Sequence, residues 1–194
     1  MSLPGSEAIQ TRLMLLCRGP LDWTRASDGD PPLAPEGVRD IELSAAVLPR
    51  FDVIAASPQR STQETVETVI AQRPAVVVWR EGLDEIRTTG VLGNAAAYDE
   101  WLDRLFVTYA ASDEGESLAD GVGRLTAELQ AIADRCYGRS ALIVSHPVIL
   151  LAFRGSVLQT AVQRDQVDTL PAPALSIIDY VEGRFYMVED FPTR

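Results

Sequence analysis

The chain has one histidine, His146, and two cysteines, Cys17 and Cys136, among 194 residues. That is too little material for a disulfide scaffold or a structural zinc centre, which draws on several Cys and His ligands at short spacings. Basic residues are also scarce: 17 Lys+Arg stand against 28 Asp+Glu, a formal charge of −11. Such an acidic balance opposes a phosphate-backbone footprint, and no local Lys/Arg cluster offsets it, so nucleic acid is not an expected partner. The longest apolar runs, such as Ala141 to Val144 and Val148 to Phe153, fall far short of a bilayer span. Met1 to Gln10 lacks the basic segment and apolar stretch of a secretory signal, and no lipidation motif is evident. The expectation is a cytoplasmic protein that does not engage membranes. Gly90-Val91-Leu92-Gly93 has neither the lysine and spacing of a P-loop nor the three-glycine dinucleotide fingerprint. No cofactor is therefore implied, whether ATP, NAD or magnesium.

What is present describes an ordinary globule: 46% hydrophobic and 23% charged residues, with 12 Pro and 13 Gly. A single domain over residues 1–194 is the default for this length. Leu13 to Cys17, Phe51 to Ala56, Ala75 to Trp79 and Ala141 to Ser145 are short, nearly continuous apolar runs without strict alternation. They read as buried strands of a parallel sheet covered on both faces. Between them the period changes. Val38, Ile41, Ala45 and Leu48 recur at helical spacing, as do Tyr98, Trp101, Leu102, Leu105 and Phe106, and then Leu118, Val122, Leu125, Leu129 and Ile132. Gly19 to Gly37, with Pro20, Pro31, Pro32 and Pro35, reads as loop. Leu175 to Val181 and Arg184 to Glu189 form a hairpin through Glu182-Gly183. Together these elements predict an α/β fold, a three-layer αβα sandwich on an about six-stranded, mostly parallel sheet with one antiparallel edge strand. The periods leave strand order and oligomeric state open, a homodimer included.

The first strand exits through Leu15-Leu16-Cys17-Arg18-Gly19-Pro20-Leu21-Asp22-Trp23. Leu33 to Gly37 approaches a helix, Arg60 and Gln63 follow the second strand, and Glu81 follows the third. Gly115-Glu116-Ser117 precedes a long helix carrying Arg124, and Val144-Ser145-His146 closes the fourth strand. In this order the motifs resemble the histidine phosphatase, or phosphoglycerate-mutase-like, superfamily. There the first strand leads into Arg-His-Gly, whose histidine attacks phosphorus while arginines and a second histidine bind the phosphoryl oxygens. The resemblance places Cys17 at the phosphate-binding arginine, Arg18 at the nucleophile, Arg60 at the second arginine, Glu81 at the proton donor of one branch, and His146 at the second histidine. Ala34 and Glu64 stand where the family has threonines.

Arginine remains protonated at cellular pH and cannot make the nucleophilic attack. The resemblance therefore implies a divergent member without ordinary phosphomonoesterase chemistry. Arg18, Arg60 and His146 each follow an apolar strand, and their convergence at the carboxyl ends of the sheet would hold an anion, since guanidinium forks grip carboxylate and phosphate. The alternative is that Arg18 pairs with Asp22, Glu81 or Asp84 and only stabilises a loop. His146 reads as an acid or base, or as a hydrogen-bonded strand cap. Cys17 reads as a ligand contact, as a nucleophile with its pKa lowered beside Arg18, or as a small buried filler, the filler being preferred. Trp23 lines the cleft or packs in the core. Glu81 and Glu114 are the carboxylates available for proton transfer, with surface charge as the plain alternative. The preferred function is binding of a small anionic or polar metabolite. The alternatives are repurposed acid/base catalysis by His146 with Glu81 or Glu114, and a non-catalytic interaction or regulatory subunit.

Overall fold

A computed structural model describes residues 9–27, 29–90, 92–108 and 115–192. Six strands form one sheet in the order β3-β2-β4-β1-β5-β6, where β1 is Gln10–Cys17, β2 Val53–Ala56, β3 Val76–Trp79, β4 Ser140–Ser145, β5 Ala174–Val181 and β6 Arg184–Glu189. Strands β1 to β4 are mutually parallel where they pair. The antiparallel pairings lie at one edge: β5 runs against β1, and β6 pairs back on β5 as the outermost strand. The hairpin turns at Glu182 and Gly183 with φ of 49° and 82°. Two successive positive φ values match the right-handed twist of the strands, and glycine adopts the second without a Cβ penalty.

The continuous apolar runs are buried on both faces because alternate residues enter opposite layers. Along β1, Leu13, Leu15 and Cys17 face one core with Ala141 and Ile143 of β4, while Met14 and Leu16 face the other with Leu142 and Val144. The first core is covered by α3 (Ala95–Thr108), α4 (Leu118–Arg135) and α5 (Pro147–Leu158), and the second by α1 (Pro35–Val47) and α2 (Arg60–Gln72). A short helix α6 (Arg164–Thr169) packs against α3 and α5. Fully buried leucines and isoleucines of this kind each contribute about 1.5–3 kcal/mol.

Strand β3 departs from the expectation of a strand covered on both faces. It is the outermost strand on its side, so Val76, Val78 and Trp79 are exposed and only Val77 packs against the core. The segment after β4 is a helix. His146 ends the strand with extended dihedrals, Pro147 opens α5, and the run Val148 to Phe153 is a helix buried on every side, which carries no helical stripe to read. The Ser117 capping box, closed by Asp120, starts α4. No helix among the described residues is long and apolar enough to cross a membrane.

Candidate functional site

Parallel strands deliver their next residues to one end of the sheet, and here those residues are Arg18 after β1, Ser57 after β2 and His146 after β4. Backbone bonds hold the exits in register: Arg18 N–H donates to the Ser145 carbonyl at 3.0 Å and Ser57 N–H to the Val144 carbonyl at 3.1 Å. Gly19 packs against Gly37 of α1, whose added Cβ would lie 2.9 Å from the Pro20 carbonyl, so this close approach requires glycine and fixes where Arg18 leaves the strand. A cleft of about 280 Å³ opens there, lined by Arg18, Trp23, Glu85, Arg87, Tyr98 and His146 among others. That volume suits a small metabolite.

His146 is buried, and its Nε2 lies 3.0 Å from Ser57 Oγ. Ser57 in turn donates to Asp84 Oδ1 at 2.6 Å, and its oxygen also receives the Gln59 N–H at 3.3 Å. A serine hydroxyl has one proton, and here it goes to Asp84. The Ser57 oxygen must therefore accept from Nε2–H, which assigns the neutral tautomer with the lone pair on Nδ1. Burial, with the cations Arg18 and Arg124 adding to it, holds the imidazole pKa well below the ordinary histidine value. His146 is thus an uncharged ring at neutral pH, oriented by a buried serine.

Glu85 is the buried carboxylate of the cleft, which Asp30 also lines. It accepts from the backbone N–H of Ile86 at 3.0 Å, Val148 at 3.1 Å and Ile149 at 2.8 Å. The last two open α5, whose N-cap His146 makes no side-chain cap bond, so Glu85 satisfies that helix end from a neighbouring loop. Burial raises its pKa, against the pull of these hydrogen bonds and of Arg18. The loop itself is held by Arg124 of α4, which donates to the carbonyls of Gly82, Asp84 and Glu85, each at 3.0 Å, and grips Glu116 through Nε and Nη2 at 2.8 and 2.7 Å. Burial pushes the Glu116 carboxyl up, but the Arg124 contact and other donors outweigh it and leave the pKa lowered.

The candidate residues divide. Arg18 and Trp23 line the cleft with His146. Arg18 is 7% exposed; its Nη1 donates to the Gly19 carbonyl at 2.9 Å, and its Nε is buried without a partner. The alternative pairing of Arg18 with Asp22, Glu81 or Asp84 is not found among the ion pairs of the described residues. Trp23 stacks on Tyr98, and Tyr98 on Trp101, with ring centroids 5.3 and 5.4 Å apart. Cys17 is fully buried at the end of β1 against an adjoining cavity, and burial pushes its thiol up to about 12. It therefore stays a neutral filler.

Two candidates lie outside the lining of the cleft. Arg60 does not line the cleft: Glu64, one helical turn on, accepts its Nε–H at 3.1 Å and also the Leu33 N–H at 2.7 Å, while Asp30 accepts the Arg60 backbone N–H. Glu81 is exposed outside the cleft, because the tight turn Glu81–Leu83 carries it outward while Asp84 and Glu85 turn in. Glu114 lies outside the described residues. Ser57, Asp84, Glu85 and Tyr98 were not singled out for these roles. The available signal was that Ser57-Pro58 repeats the strand-exit pattern of His146-Pro147. No group of three or more His, Cys, Asp or Glu among the described residues is placed to hold a metal ion.

The chain matches the model of the histidine phosphatase superfamily (branch 1) over residues 13–190 and belongs to that superfamily. No curated protein matches it. Among solved structures it resembles YhfR of Bacillus stearothermophilus, with a TM-score of 0.77 and 24% identity over 93% of this chain and 96% of that one. It resembles phosphoglycerate mutase of Bacillus anthracis, TM-score 0.73 and 15% identity, over 94% and 93% of the two chains. A phosphoserine phosphatase of Entamoeba histolytica in complex with phosphoserine gives 0.72 and 17% over 93% and 96%. Identities this low establish the shared fold alone.

Proposed function

We propose that this protein binds a small anionic or polar metabolite in the cleft at the carboxyl ends of β1, β2 and β4, without a phosphohistidine step at residue 18. The observation that carries the reading is Arg18 itself. A guanidinium stands where the resemblance places the nucleophile, lines the cleft, and keeps a buried Nε–H without a protein acceptor. A buried donor left unpaired costs about 1–3 kcal/mol, a cost that a ligand oxygen relieves. The chain's one histidine is engaged by Ser57, and Arg60, the second cation of the inherited phosphate clamp, is drawn off by Glu64. The phosphoserine phosphatase complex holds an anion in a related fold, which agrees in kind with this reading.

The test is a phosphomonoester panel on wild type and Arg18→His. Wild type is expected to show no turnover above background, and hydrolysis gained only by Arg18→His would mark a phosphate pocket that has lost its nucleophile alone. Robust hydrolysis by wild type overturns the reading.

A second reading, repurposed acid/base catalysis, is favoured by one observation: a neutral His146 and a Glu85 whose pKa is raised by burial line the same cleft. In it Glu85 takes the place expected of Glu81. Turnover of a non-phosphorylated metabolite that is abolished in a folded His146→Gln variant would favour this reading over simple binding.

A further inference from the structure

The cleft continues past Trp23. A second cavity of about 250 Å³ shares Arg18, Leu21, Trp23 and Tyr98 with the first, and runs between Leu102, Pro147, Val167, Leu170 and Ala172. Among the described residues, two buried side-chain polar atoms lack a hydrogen-bond partner, Arg18 Nε and Tyr98 Oη, and both belong to residues at this junction. An arginine Nε–H only donates, and a phenol that burial keeps protonated has a proton to give. Each is a donor for which an acceptor oxygen of a ligand at the junction would be a partner.

The charges around the junction select among such groups. Glu85, Asp30 and, at its exposed rim, Arg87 line the first cavity, and Asp99 and Asp168, which share Arg164 with Asp103, border the second. One buried guanidinium, Arg18, faces these carboxylates. A phosphate dianion would set two negative charges among these acidic neighbours against one buried cation, whereas a carboxylate sets one. Aliphatic side chains beyond the junction then offer its apolar body a place out of water.

Building on the anion-binding reading above, we propose that the cleft takes an amphipathic monocarboxylic acid. Its carboxylate sits on Arg18 Nε and Tyr98 Oη, and its hydrocarbon or aromatic body enters the lobe between Leu102, Val167 and Leu170.

Calorimetric titration with 3-phenylpropionate, acetate and 2-phenylethyl phosphate tests this on wild type, Tyr98→Phe and Val167→Trp. The expected result is that 3-phenylpropionate binds at least tenfold more tightly than acetate and than the phosphate ester. Tyr98→Phe, which keeps the ring, should weaken it about fivefold to tenfold. Val167→Trp, which fills the lobe, should weaken 3-phenylpropionate while leaving acetate unchanged. If Val167→Trp does not fold, the comparison of 3-phenylpropionate with acetate on wild type decides the same point. Tighter binding of the phosphate ester, an unaltered affinity in Tyr98→Phe, or no binding of any probe overturns the proposal. The loss of phosphohistidine chemistry is read separately, by hydrolysis of the phosphate ester, so a failed carboxylate preference leaves that reading standing, and hydrolysis by wild type removes it whatever the affinities.

Discussion

His146 and Ser57 meet across the carboxyl ends of β4 and β2 at 3.0 Å, and the Ser57 proton passes on to Asp84 at 2.6 Å. This chain, and not a direct contact with a carboxylate, sets which nitrogen of the imidazole carries hydrogen. Its members come from separate stretches of sequence, so the parallel sheet is what makes the arrangement.

Ser57→Ala leaves the Nε2–H of His146 without its acceptor and Asp84 without its donor in a largely buried setting. The expected cost is about 1–3 kcal/mol. Urea denaturation should show a lower midpoint at unchanged slope. Because the chain has one histidine, nitrogen NMR of the imidazole reports it without ambiguity: wild type should show the Nε2–H tautomer, and Ser57→Ala a mixture.

The depressed pKa of His146 has a consequence for stability. Unfolded, the ring takes up a proton as pH falls below about 6.5. Folded, it resists, so this contribution is present above that pH and is lost as pH drops toward the depressed native value. Glu85 acts in the opposite sense, since its raised pKa favours the folded state below the usual carboxylate range and the gain fades as pH rises through the raised value. His146→Gln should flatten the acid-side fall just below pH 6.5, and Glu85→Gln should flatten the decline on the other side. Denaturation midpoints measured from pH 4 to pH 8 check both signs.

Arg124→Met removes the donor shared by the carbonyls of Gly82, Asp84 and Glu85 and strands Glu116 without its bidentate partner. Breaking such a partly buried pair costs about 3–5 kcal/mol when one charge is left uncompensated, and the partial exposure of Glu116 places this case at the lower end. Chemical denaturation measures it, and Arg124→Lys should recover only part, because an ammonium cannot span these acceptors.

Cys17, buried with its thiol pushed up to about 12, should resist iodoacetamide at pH 7.5 in the folded protein and react only after unfolding. Cys136 at the end of α4 is half-buried and should react first. Peptide mass spectrometry distinguishes them, and rapid selective alkylation of Cys17 would show an activated thiol instead of a filler.

Much of the fold is legible in the sequence because the middles of β1, β2 and β4 are short runs that alternate between two cores and are apolar on both faces. Leu13 to Cys17 and Ala141 to Val144 read directly for that reason. Helix α5 does not, since being buried on every side erases its period, and β3 is misread because three valines look the same at the edge of a sheet as in its middle. At the site, His146 and Arg18 stand at strand exits, where order in the chain dictates place. The fate of Arg60 depends on Glu64, which becomes a neighbour only once α2 has formed. The choice of Glu85 over Glu81 depends on a tight turn and on Arg124, forty residues or so away in sequence. Neither leaves a local trace.

Wild-type protein mixed with labelled phosphomonoesters, quenched within the first turnover and assayed for protein-bound phosphate, tests the absence of a phosphohistidine nucleophile most directly. No acid-labile phosphoenzyme should form on the wild type. Stoichiometric labelling of any side chain in the cleft, His146 included, would contradict the account.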